Sequence, residues 1–86
     1  MATYLVRLPL VTTLQVAMAR RMIRDGTVRG LRELADLSLR DVCRDLGRTP
    51  GAVSRWENGL RKPAPDEAVR YVQLVTEVVD ALGLAK

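Results

Sequence analysis

Apolar residues recur at helical spacing through most of the chain. Leu14, Ala17, Met18, Met22 and Ile23 form a stripe that predicts a helix after a Thr12 or Thr13 cap, with Arg20, Arg21 and Arg24 on its other faces. Asp25-Gly26 ends it, and Thr27 is placed to cap a second helix over residues 28–36; glycines at 26 and 30 favour a break over one bent helix. A third helix begins at Ser38, whose hydroxyl and the Asp41 carboxylate approximate a capping box, and it buries Val42, Cys43 and Leu46. Gly47 stands where the chain must leave that helix. Thr49 then caps, and Pro50 opens, a fourth helix over residues 50–58 that buries Val53 and Trp56 and stops at Asn58-Gly59. Two prolines hold the segment LRKPAP open, and Pro65, with Asp66 and Glu67 complementing the dipole, starts a long helix that ends near Gly83. Upstream, residues 3–8 (TYLVRL) read as a short strand or extended arm, which Pro9 separates from the first helix. The pattern predicts an all-α bundle of about five helices, one domain over residues 1–86.

Composition narrows this further. With no Phe, the core must rest on Leu, Val, Ala and Met, with Trp56 as its large ring. So small a core gains from dimerisation. The last helix carries Ala68, Val69, Tyr71, Val72, Leu74, Val75, Val78, Val79 and Leu82, an apolar arc wider than one small bundle needs. A homodimer is therefore expected, with its interface in residues 1–12 or at Val78 and Val79. The single Cys43 forms no internal disulfide and reads as a small buried residue; without His, no structural zinc site and no metal are expected.

Charge is unevenly placed. Residues 1–62 hold 12 bases against 6 acids, and residues 63–86 hold 2 against 4. A basic body with a mildly acidic final helix suggests a polyanion reached from one side. Twelve Arg against two Lys favours planar, bidentate donors. Residues 8–16 followed by Ala17-Met18-Ala19 imitate a signal peptide, but Arg7, Pro9, Thr12, Thr13 and Gln15 spoil the apolar core. No run is long enough to span a membrane, so a cytoplasmic protein is expected.

Two short helices joined by a glycine-bearing turn describe a helix-turn-helix over residues 37–59. That stretch resembles the Cro/C1-type (XRE-type) family of phage and bacterial regulators. The matching positions are Leu37-Ser38, Val42, Leu46-Gly47, Thr49, the run Val53-Ser54-Arg55-Trp56-Glu57-Asn58-Gly59, and Lys62-Pro63. SRWENG followed by a basic residue and Pro63 is among the more specific signatures of that family. The resemblance covers residues 28–80 and leaves residues 1–27 as an N-terminal extension.

The resemblance implies that the second helix of the motif enters the major groove and that dimers read two half-sites. It places Thr49, Pro50, Gly51, Ala52, Ser54 and Arg55 towards base edges, with Arg55 the one long donor. It places Asn58, Arg61 and Lys62 on phosphates and pairs Arg32 with Glu57 as a partly buried structural ion pair. Leu39 replaces the polar residue that usually contacts phosphate, leaving that role to Arg40. Arg48 replaces an apolar residue and is expected to reach the backbone or flank the groove. Pro50 and Gly51 thin the direct code, so help is expected from Arg48, from the basic N-terminal segment or from DNA shape.

An enzyme is not expected: there is no His, no base partner for Cys43, no phosphate-cradling loop and no paired carboxylates. No cofactor is expected. The expected function is a sequence-specific regulator binding a palindromic double-stranded DNA operator, such as a repressor. The alternative is an antitoxin or interaction module that docks on a toxin, polymerase or repressor through residues 1–27 or the last helix. A winged-helix excisionase is disfavoured because no two-strand wing follows Gly59.

Overall fold

Each helix begins where something satisfies its first free N–H groups. In the computed structural model, which describes residues 11–84, these starts yield α1 (Thr13–Arg24), α2 (Thr27–Leu34), α3 (Leu39–Leu46), α4 (Pro50–Glu57) and α5 (Pro65–Ala81), with no strand among the described residues. The arm expected over residues 3–8 lies outside the described residues. Thr12 and Gln15 form a full capping box on α1, Gln15 N–H donating to Thr12 Oγ1 at 3.1 Å and Thr12 N–H to Gln15 Oε1 at 3.0 Å. At α5 only half of that device exists: the Ala64 N–H donates to Glu67 Oε1 at 3.2 Å, and alanine has no acceptor to return.

The α1–α2 junction departs from expectation. Gly26, not Thr27, is the cap residue of α2, and Thr27 is already helical. Its N–H and hydroxyl both donate to Asp25 Oδ1, at 2.9 and 2.6 Å, so the carboxylate before the glycine does the capping work. These hydrogen bonds hold the Asp25 carboxyl below its ordinary value. Gly30 stays inside α2, which ends at Leu34 instead of continuing to residue 36. Asp36 takes φ 59° as the chain turns into α3.

α5 is the hub: α1, α2 and α3 pack on it, and α4 packs on α3 and α1. Ile23, Val28, Val42, Val53, Tyr71, Val75 and Val79 are fully enclosed, and the Trp56 ring lies tilted against Tyr71 with centroids 6.3 Å apart. Each such side chain contributes about 1.5–3 kcal/mol by leaving water. Spacing on α5 explains the arrangement, since Ala68, Tyr71, Val75 and Val79 fall on one face at helical intervals. Val79 is thus core, which corrects its assignment to an interface; Val78 beside it is half-buried.

The α1 stripe is also corrected. Leu14 (69 % exposed), Met18 (55 %) and Ala17 face outward, while Ala19 and Ile23 are buried with Val16 and Met22 beside them. Val16, Ala19, Met22 and Ile23 form the apolar face that is used, and in this orientation Arg20 donates from Nε and Nη2 to the Pro63 carbonyl at 3.1 and 2.8 Å.

Candidate nucleic-acid interface

The α3–turn–α4 unit is held by contacts made within a few residues. Ser38 and Asp41 exchange hydrogen bonds of 3.1 and 2.8 Å, and these hold the Asp41 carboxyl below its ordinary value. Gly47, at φ 69°, closes α3 in a conformation that a Cβ would strain, and the N–H groups of Gly47 and Arg48 both return to the Cys43 carbonyl. Thr49 Oγ1 then accepts from the Ala52 N–H at 3.2 Å, and Pro50 occupies the first helical position. Cys43 lies buried under this unit, and burial pushes its thiol pKa up, away from reactivity.

α4 buries Val53, Trp56 and Glu57, which turns its opposite face outward. Thr49, Pro50, Gly51, Arg55 and Asn58 are exposed; Ala52 and Ser54 are half-buried. The Arg55 guanidinium lies one turn back along the helix, its Nη1 3.8 Å from where a Cβ on Gly51 would stand. Helical side chains lean towards the N-terminus, which brings this one alongside Gly51 at position i−4.

A buried polar lock sets the orientation of α4. Arg32 on α2 donates from Nε to Glu57 Oε2 and from Nη2 to Glu57 Oε1, both at 3.0 Å, and from Nη1 to the Leu37 carbonyl at 2.9 Å. The Tyr71 hydroxyl on α5 donates to the same Glu57 Oε2. The side chains of the pair are 8 % and 3 % exposed, so the contact is desolvated. Burial works against the Arg32 charge, but the hydrogen bonds and charge of Glu57 outweigh it and hold the guanidinium above its ordinary pKa. Burial, followed by the Glu57 hydrogen bond and charge, pushes the Tyr71 phenol well above its ordinary value, so it stays a donor. Sequence reasoning missed Tyr71. The available signal was a tyrosine on an apolar helix face, because a buried hydroxyl requires a partner.

Around α4 the other named residues divide by what already holds them. Arg40, Arg61 and Lys62 are exposed and make no ion pair among the described residues. Arg48 is different: it pairs with Glu67 at the start of α5, and that hydrogen bond and charge raise its pKa. Its reach towards an external phosphate competes with this contact. Asn58 Nδ2 donates to the Ser54 carbonyl at 2.8 Å and to Ser54 Oγ at 3.3 Å, closing the end of α4. Asn58 itself keeps a right-handed conformation (φ −93°), and only Gly59 (φ 73°) turns the chain. The N–H groups of Leu60 and Arg61 then return to the Arg55 carbonyl, at 2.9 and 3.3 Å, which presents the basic loop beside the helix. Arg20 anchors the far end of that loop through Pro63.

Among the described residues, no helix is long and apolar enough to cross a membrane. No curated protein and no solved structure matches the chain. A family model described as a helix-turn-helix domain matches residues 26–84, which takes in α2 to α5 and begins after α1. The chain therefore belongs to the helix-turn-helix domain family, a family associated with Cro/C1-type (XRE-type) regulators.

Proposed function

We propose that this protein is a sequence-specific regulator that binds double-stranded DNA with α4 in the major groove and acts by occupying its operator. One observation carries the reading: among the described residues nothing covers the α4 face bearing Thr49, Gly51 and Arg55, and the cations Arg40, Arg61 and Lys62 around it make no ion pair there. Arg55 supplies the principal base contact. Thr49, Gly51, Ala52 and Ser54 set how closely the helix approaches, and the half-burial of Ala52 and Ser54 limits them to short-range contact. Arg40, Asn58, Arg61 and Lys62 grip the phosphates, with Arg48 in reserve because Glu67 holds it. The protein binds and performs no chemistry on its partner, a role suited to the cytoplasm of a bacterium or a phage-infected cell.

A palindromic operator requires two copies. The apolar side chains available for self-association include the exposed Leu14 and Met18 on α1, Leu34 on α2, and Leu60, Leu82 and Leu84, with half-buried Val72 and Val78 on α5. The same surface favours the second reading, a toxin or other protein partner, and co-purification of a different chain would select it.

Arg55→Ala separates base reading from backbone grip. A bidentate Arg–guanine pair is worth about 1–3 kcal/mol of discrimination, roughly 5–150-fold. In a selection from genomic fragments, the variant is expected to lose its preferred motif while retaining weak binding to any duplex and an unchanged circular dichroism spectrum. A uniform loss of affinity across all sequences would assign Arg55 to the backbone instead.

A further inference from the structure

Beside the basic loop lies a crevice that the helix-turn-helix alone does not make. It is about 130 Å³ in volume, floored by Ile23, Trp56 and Pro63 and rimmed by Arg24, Arg61 and Lys62. Arg24 comes from α1, before the residues that the family model matches. The α1 rotation that sends Arg20 to the Pro63 carbonyl also carries Arg24, one turn later, across Gly59. Its Cγ lies 3.8 Å from where a Cβ on Gly59 would stand. Gly59 supplies φ 73° for the turn, and the Arg24 stem runs beside it at van der Waals distance.

Arg24 makes no ion pair among the described residues, and the neighbouring Asp25 carboxylate is occupied by the Thr27 N–H and hydroxyl. Arg20, by contrast, is satisfied by its carbonyl and acts as the strut. Three cations from two separate elements thus converge on one exposed hollow with no carboxylate in its lining. The hollow adjoins the C-terminal end of α4, where a DNA strand leaving the groove would pass.

We propose that this crevice seats a backbone phosphate of the bound DNA, and that Arg24 is a direct phosphate contact supplied by the N-terminal extension. The assignment rests on the DNA-binding reading above. It enlarges the footprint beyond the helix-turn-helix by a contact that carries affinity without sequence information.

The test is the salt dependence of binding to a mixed-sequence duplex, measured for the unmodified protein, Arg24→Gln and Arg24→Lys. Each neutralised phosphate adds about 0.9 to the log–log slope. Arg24→Gln is expected to reduce the slope by about that amount, with an unchanged thermal midpoint, and Arg24→Lys to restore most of it. If the unmodified protein binds duplex DNA and Arg24→Gln keeps the same slope, the phosphate seat is wrong while the DNA-binding reading stands. If Arg24→Lys loses as much of the slope as Arg24→Gln, the effect does not follow the charge at position 24, and the seat is again refuted. An unmodified protein that binds no duplex at low salt would overturn both.

Discussion

Glu57→Ala is expected to destabilise the protein by about 3–5 kcal/mol, the cost of stranding a buried charge. The variant leaves the Arg32 guanidinium with only the Leu37 carbonyl as acceptor and deprives the Tyr71 hydroxyl of its partner, both inside the core. Domains of this size hold only about 5–15 kcal/mol in total, and about 1 kcal/mol moves the thermal midpoint by roughly 4–8 °C. Urea and thermal unfolding read the effect directly. Replacing the whole lock with apolar residues (Arg32→Met, Glu57→Leu and Tyr71→Phe together) is expected to recover most of the loss, because no buried charge is then stranded and only the part-buried Leu37 carbonyl loses a donor. A loss below about 1 kcal/mol for Glu57→Ala would rank the pair with exposed salt bridges and deny it control over α4.

Two adjacent valines supply the second large effect. Val79→Asp places a carboxylate where 2 % of the residue is exposed, within the apolar cluster of the core. Burial of an unpaired charge costs several kcal/mol, so the variant is expected to be largely unfolded by circular dichroism. Val78→Asp, half-buried on the next face of α5, is expected to remain folded. Only Val78→Asp can therefore report on self-association by sedimentation; a lower mass for Val79→Asp would reflect unfolding. Equal stability of the two variants would mean that the α5 face is rotated from the one described.

What the sequence made legible was local. Ser38 with Asp41, Thr49 with Pro50, and Gly47 each act within a few residues, and the helix-turn-helix is built from such short-range devices. What stayed hidden depended on distant partners. On α1 two apolar faces compete, Leu14-Met18 and Val16-Ala19, and the chosen one places Arg20 on a carbonyl 43 residues away, a contact that apolar periodicity does not register. Tyr71 counted as one more apolar position on α5 until its hydroxyl met Glu57. Arg48 and Arg24 have the same side chain in a basic stretch, yet Glu67 holds the first and nothing described holds the second. Residue type gave the chemistry in each case, and tertiary contact decided its availability.

The central claim is that α4 and its flanking cations form the surface that meets DNA. Titrating the isotope-labelled protein with duplex DNA and following its backbone amides by nuclear magnetic resonance tests this residue by residue. The largest shifts are expected at residues 49–55 and 58–62, with Arg24 and Arg40 beside them, while the outer face of α1 at Leu14 and Met18 stays silent. Shifts concentrated on Leu14, Met18 and Val72, with residues 49–55 unmoved, would contradict it.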